Sequence, residues 1–387
     1  MVRIHLKAKE NRSSGIGDIR LYSNGKLIWQ RTNKLAISLG NQLNKKLEVN
    51  PLPNVMVQFS EPKKIDSDTQ KDNGKKSSLG YFELSLDLAL VSGRNIITAI
   101  AFNGNNNVQS TPVLIIEEGP KVQKESKVYL LAFGVDKFYD SSMNLSFASK
   151  DANVLATELN SLLVDEYGQS NVYTYILTSE LTSNKQPTLK NLTQVLNTIQ
   201  KVAKPQDIVI FYASTHGLNT SSGFSLATSD YGENKLNSNV TTGFISASSL
   251  MEWSKNTLAQ KQLFILDSCY SGQLKDDLTL RYDSRLQFFS NQLGINIVTA
   301  SSPIERAREG YPLTGTNNQK HGFFTWNLLE GIKEIKKTSP HEPTVNEWLK
   351  YSIGKAKEQA VKENIPQTPE QSNDGVDFIL TGPKHGI

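Results

Sequence analysis

Val128-Tyr-Leu-Leu-Ala-Phe-Gly-Val135 is apolar from end to end, as expected of a strand covered on both faces. After it, Ala148, Ala152, Leu155, Leu159 and Leu162 recur at helical spacing. A strand over Val172–Leu177 follows, then a helix bearing Leu189, Leu192, Val195, Leu196, Ile199 and Val202, with Thr188 as its N-cap. Further strands are predicted at Ile208–Tyr212, Gln262–Leu266, Ile295–Thr299 and Val376–Leu380. Helices over Ala247–Lys255 and Phe323–Ile335 separate them, with another opened by the capping box Thr344-x-x-Glu347 and running to about Val361. Strands alternating with helices imply a mostly parallel, six-stranded sheet with helices on both faces.

Upstream, the period changes. Within a strand predicted over Gly80–Leu88, Tyr81-Phe-Glu-Leu-Ser-Leu-Asp-Leu88 alternates with period two, the mark of a half-buried strand. Similar strands are predicted at Val2–Lys7, Asp18–Tyr22, Lys26–Trp29, Asn95–Phe102 and Val108–Ile116. Asn24-Gly25, Ser92-Gly93 and Asn103-Gly104 supply turn chemistry. Residues 1–120 therefore read as a small β-sandwich, with the polar Glu61–Ser77 as a loop. Residues 121–126 read as a linker, and 127–387 as the α/β domain.

Composition narrows the function. Of 387 residues, 37% are hydrophobic and 21% charged, with a net charge of +4. These are values of an ordinary globular chain, and they give no electrostatic argument for nucleic acid. No apolar run approaches the roughly 18 residues of a membrane helix, and the N-terminus has no apolar signal segment. The single cysteine excludes internal disulfides and thiolate clusters, and five histidines are scattered without metal-ligand spacing. A reducing compartment, the cytoplasm, is the expectation, with no membrane partner.

Two segments carry the chemistry. Asp207-Ile-Val-Ile-Phe-Tyr-Ala-Ser-Thr-His216-Gly217 and Gln262-Leu-Phe-Ile-Leu-Asp-Ser-Cys269-Tyr-Ser-Gly272 each deliver a reactive residue just past the carboxyl end of a buried strand. Ligands bind there in such sheets. A thiol attacks only as thiolate, and an imidazole within reach takes its proton. His216 precedes Cys269 by 53 residues. The pair reads as general base and nucleophile, with the N–H groups of Gly217 and Cys269 as candidate oxyanion donors. Taken singly, a Cys or His at a strand end is more often structural; the joint placement carries the reading.

From about Lys127 to Leu380 the chain resembles the caspase-like peptidases, in particular the bacterial metacaspase/orthocaspase branch. The matching pieces are Leu130-Leu-Ala-Phe-Gly-Val-Asp136, Asn144-Leu-Ser-Phe-Ala-Ser-Lys-Asp151-Ala152, the His216-Gly217 segment, Asp267-Ser-Cys-Tyr-Ser-Gly272 and His321-Gly-Phe-Phe-Thr325. The family usually has Gly before the histidine; Thr215 stands here. The N-terminal region, with Gly15–Gly25 and Gly93–Asn103, is similar to the Ig-like domain that precedes many such peptidases. The resemblance implies a cysteine endopeptidase acting on protein substrates in a bacterial stress, defence or regulated-death pathway, with an upstream sensor or activator as possible partner.

It further implies cleavage after Arg or Lys, with Asp151, Ser214 and Asp267 lining the S1 pocket, since paired carboxylates bind a guanidinium well. Arg306 and Arg308 are read as loop surface, with Glu305 or Glu309 as the family's acidic position. His321 is given a capping or core-polar role rather than that of base. Calcium, which many relatives require, is disfavoured as a cofactor: Asp276 and Asp230 match or approximate ligands, but Ile245-Ser-Ala-Ser-Ser249 stands where an Asp pair is usual. Lys275, Arg281 and Arg285, after the nucleophile, are candidate autoprocessing positions. Two rival readings are weighed. An idle caspase-like scaffold is opposed by the intact Cys/His pair, and a thiol–disulfide enzyme by the lack of a CxxC motif.

Overall fold

The computed structural model describes residues 2–9, 15–31, 57–58, 81–121, 125–220, 223–232, 243–270, 290, 293–301, 307–312, 320–338 and 342–380. The chain divides into two compact units, residues 1–124 and 125–387.

In the first unit the described residues form two antiparallel sheets. One has the order β1 (Val2–Lys9), β5 (Tyr81–Leu88), β4 (Val57–Gln58). The other runs β3 (Lys26–Arg31), β2 (Ile16–Ser23), β6 (Arg94–Asn103), β7 (Val113–Glu118). The period-two reading of β5 holds, with Leu84, Leu86 and Leu88 all buried. They meet Ile4, Ile19, Leu21, Trp29 and Ile97 in one core fed by both sheets. Asn24 and Gly25 both take positive φ, 50° and 82°, the conformation a tight β2–β3 hairpin requires. The last strand begins later than expected, at Val113 rather than Val108. The preceding segment folds back locally, with Asn103 Oδ1 accepting from the N–H groups of Asn107 and Val108. The expected Glu61–Ser77 loop lies outside the described residues.

The second unit is built on an eight-stranded mixed sheet, larger than the six strands expected. Its main path is β9 (Val172–Thr178), β8 (Val128–Gly134), β10 (Ile208–Thr220), β13 (Lys261–Tyr270), β14 (Asn296–Thr299), β15 (Glu370–Asn373). The first five strands are mutually parallel and β15 is antiparallel. The two additional strands continue the sheet beside β10: β11 (Gly223–Ala227) pairs antiparallel with β10, and β12 (Phe244–Ser246) antiparallel with β11. All seven residues of β8 are buried, as its apolar run demands.

Helices α1 (Ala148–Tyr167), α2 (Leu189–Val202), α3 (Ala247–Asn256), α4 (Phe323–Thr338) and α5 (Val345–Lys362) accompany the sheet. Leu155 and Leu159 of α1, Phe324 and Leu328 of α4, and Trp348 of α5 share a core with Leu130, Ile210, Tyr212 and Ile265 of the strands. On the other face Trp253 of α3 lies edge-on to Phe264 of β13, centroids 6.2 Å apart. The Thr188 cap and the Thr344/Glu347 capping box form as read. Within α2, Leu192, Leu196 and Ile199 are buried, while Val202 at its end is exposed.

One strand was misplaced. Val376–Leu380 forms no strand; β15 is the more polar Glu370–Asn373. Phe378 and Leu380 are buried in another way, their backbones exchanging hydrogen bonds with Val345 and Pro343 at the entry to α5.

Candidate active site

β10 changes neighbours along its length. Residues 208–214 pair with β8, and residues 217–220 pair with β11 on that same edge, while β13 flanks the other edge from Ile208 to Gly217. His216 and Cys269 are therefore not in loops past strand ends, as expected, but in the closing residues of two longer strands. The hairpin to β11 keeps β10 extended beyond the point where apolar alternation stops. His216 is the register partner of Cys269, and Ser214 that of Asp267, which sets each pair side by side on strands about 4.8 Å apart. Gly217 is held in the ladder between Leu226 and Tyr270.

Thr215, where the related motif carries glycine, is buried and donates its hydroxyl to the Ala227 carbonyl at 2.8 Å. Its side chain thus clamps β10 to β11 beside His216.

The imidazole of His216 is oriented from its far side. Nε2 lies 2.7 Å from the carbonyl of Met143, an acceptor that fixes the proton on that nitrogen. Nδ1 is buried and has no hydrogen-bond partner among the described residues. It is left as the basic lone pair. The ring of Phe138 packs against the imidazole, centroids 5.2 Å apart. Neither Met143 nor Phe138 is marked by sequence spacing, since a carbonyl acceptor can come from any residue.

The three residues expected at the substrate pocket come together. Asp151 and Asp267 are buried, with Ser214 next to Asp267 in register. A Cβ added at Gly322 would stand 2.9 Å from Asp151 Oδ2 and 3.4 Å from Asp267 Oδ2, so bare backbone passes between the two carboxylates. Asp151 Oδ1 lies 2.7 Å from His321 Nδ1, and its Oδ2 accepts from Gly322 N at 2.8 Å. Asp267 Oδ2 accepts from Thr325 Oγ1 at 2.5 Å and from the Tyr212 hydroxyl at 3.4 Å. Those two hydroxyls are themselves 2.6 Å apart.

Burial raises both acids. Asp267 is pushed up to about 7, by burial first and by the Asp151 charge second. Asp151 is driven well above the carboxylate range by burial, against the pull of the Gly322 amide. Burial lowers His321 to about 4, assisted by Lys150 and Lys333.

His321 thus has the core-polar role expected of it, held also by paired backbone bonds to Tyr311. Glu309 does not enter the pocket by hydrogen bonding; it accepts from Ser146 N and Phe147 N at the entry to α1. Arg308 is exposed, as expected, and Arg306 and Glu305 lie outside the described residues. So do Asp276, Lys275, Arg281 and Arg285. Asp230 accepts from Leu189 N at 3.0 Å and from Thr228 Oγ1 at 2.5 Å, closing the start of α2. Sequence reasoning missed Tyr212 and Thr325; the only signal for either was Thr325's place in the His321-Gly-Phe-Phe-Thr325 motif. Among the described residues no cluster of three or more His, Cys, Asp or Glu is placed to hold a metal, and no helix is long and apolar enough to cross a membrane.

A family model described as the caspase domain of C14 peptidases matches residues 127–373. No curated protein matches the chain. Among solved structures, a 2,6-sialyltransferase from Photobacterium, in ternary complex with CMP and lactose, is 9% identical with a TM-score of 0.20. That alignment covers 81% of this chain and 57% of the other; a likeness so slight carries no argument.

Proposed function

This chain belongs to the caspase-domain family of cysteine peptidases, and on that premise we propose that it is an endopeptidase with Cys269 as nucleophile and His216 as base, cleaving after Arg or Lys. The observation that carries the reading is the imidazole of His216, tied through Nε2 to the Met143 carbonyl with Nδ1 left unpartnered, on the strand residue in register with Cys269.

In this mechanism Cys269 Sγ gives its proton to His216 Nδ1 and attacks the scissile carbonyl carbon. The developing oxyanion is assigned to the N–H of Cys269, with Gly217 beside it. The C–N bond breaks as the imidazolium returns its proton to the leaving amine. Water, deprotonated by His216, then releases the acyl group from sulfur. Asp151, Ser214 and Asp267 form the S1 pocket, and the buried acids favour a cationic side chain over an acidic one.

We assign no cofactor. The Asp230 carboxylate already holds two donors at a helix start, a poor beginning for a calcium cage of about six to eight oxygens. Strong calcium activation in an activity titration would count against this. The metacaspase branch, the Ig-like nature of the first unit and a bacterial stress, defence or death pathway remain readings of the motifs, as does self-cleavage at Lys275, Arg281 or Arg285. An intact single band after prolonged active incubation would remove the last.

The test is cleavage of fluorogenic peptides ending in Arg, Lys or Asp, with Cys269→Ala alongside. Cleavage after Arg or Lys that vanishes in the variant is expected. Cleavage after Asp would overturn the pocket assignment, and activity surviving in Cys269→Ala would overturn the nucleophile.

A further inference from the structure

Given the proposed chemistry of Cys269 and His216, on which this reading rests, we infer that the loop joining β8 to α1 seats the leaving half of the substrate. Tyr139 on that loop selects an aromatic or large apolar side chain within the first two residues after the cut.

The chemistry sets the side. The imidazole hands its proton to the leaving nitrogen, so that nitrogen and the residues after it lie on the His216 side of the broken bond, while Cys269 keeps the acyl half. His216 sits on β10, with β13 and Cys269 along one edge, and β8 and then β11 along the other. The chain leaves β8 on that second edge, where Val135 N donates to the Ser214 carbonyl at 3.1 Å. It then passes Phe138, whose ring packs on the imidazole, and reaches Met143, whose carbonyl lies 2.7 Å from Nε2. Tyr139 stands between these two contacts in the chain.

The backbone around Tyr139 is tied down. Phe138 N donates to Asn144 Oδ1 and Tyr139 N to the Ser229 carbonyl, both at 2.9 Å. Asp140 caps the helical turn Ser141–Met143, its Oδ1 accepting from Ser142 N at 3.0 Å and from Ser142 Oγ at 2.7 Å. Met143 N and Leu145 N bond back to the carbonyls of Asp140 and Asp136. On this fixed backbone Phe138 is 7% exposed and Tyr139 67%. Among the described residues the Tyr139 side chain has no hydrogen bond and no ring contact. The turn at residues 228–232 stands alongside: Ser229 supplies the acceptor for Tyr139 N, and a Cβ added at Gly232 would lie 3.9 Å from Asp140 Cβ. A bare aromatic ring on a rigid loop loses little freedom when it is covered, and it takes aromatic or apolar side chains by stacking.

The experiment assays the full chain on internally quenched peptides carrying phenylalanine or alanine at the first or the second position after the cut. Arginine precedes the cut in one series and aspartate in a parallel one. The wild type is expected to prefer phenylalanine about five- to tenfold in kcat/KM at one of the two positions, through KM more than kcat. Tyr139→Ala should bring that ratio within about twofold of one, and Tyr139→Phe should keep it, since the ring and not the hydroxyl makes the contact. Discrimination between arginine and aspartate before the cut should be the same in all three proteins, which separates loss of this contact from damage to the other pocket. Cleavage without a preference for phenylalanine at either position, or a preference that survives Tyr139→Ala, overturns the assignment and leaves the protease reading intact. No cleavage in either series is the failure of the protease reading itself, and the seat for the leaving half falls with it.

Discussion

Asp267 ties the pocket to pH. Burial and the neighbouring Asp151 raise it to about 7, with Glu309 adding to the push and the Thr325 and Tyr212 hydroxyls opposing it. A carboxyl whose folded value is raised contributes stability that is full below its unfolded value, near 4, and lost as pH climbs through about 7. Asp267→Asn is therefore expected to gain in Tm relative to the wild type between pH 4 and pH 7, read by melts of both proteins across that window. A constant difference would show that Asp267 titrates as an ordinary carboxylate. Activity runs the other way: on the proposed pocket, kcat/KM on arginine peptides should climb through pH 7 as Asp267 ionises, and that limb should be missing on peptides ending in citrulline, the neutral near-isostere of arginine. For His216, conversion to Ala is expected to lower kcat by at least about 100-fold, the scale of general base catalysis. Steady-state rates on the same peptide check it.

The elements hold these residues by ordinary means, and their ends are the places to probe. Thr344 and Glu347 form a reciprocal capping box at the start of α5. Thr344→Ala should cost about 1 kcal/mol of unfolding free energy without moving kcat/KM on arginine peptides, measured by urea denaturation beside the peptide assay. Such caps, the buried β8 and the α1 stripe were readable from single stretches of sequence because their physics is local. What was not readable depends on distant partners. β11 and β12 are short, and they pair in sequence onto β10, β11 directly and β12 through β11, so no period of their own announces them. β15 is a polar edge strand, whereas Val376–Leu380 buries Phe378 and Leu380 beside the entry to α5 without joining the sheet. The site divides along the same line. His216, Cys269 and the two aspartates could be named from motif and strand position. The contacts of Met143 with His216 and of His321 with Asp151 span 73 and 170 residues, and no spacing rule reaches that far.

Taken whole, the chain is two units with separate cores, one fed by strands β1, β2, β3, β5 and β6 and the other by a mixed sheet with its helices. Each core is closed by its own residues, so a chain cut to residues 125–387 is expected to melt cooperatively. A broad, non-cooperative melt of that fragment would show that the second unit depends on the first. The site proposed for it draws on Asp151 at the start of α1, Ser214 and His216 on β10, Asp267 and Cys269 on β13, and the residues leading into α4. No two of these elements are adjacent in the chain. During synthesis His216 is made 53 residues before Cys269, and Thr325 follows 56 residues after that. On the proposed reading, a growing chain therefore carries no finished active site until most of the second unit has been made. The order in which the strands are strung together serves as a safety interval, with the blade and its handle made at different times.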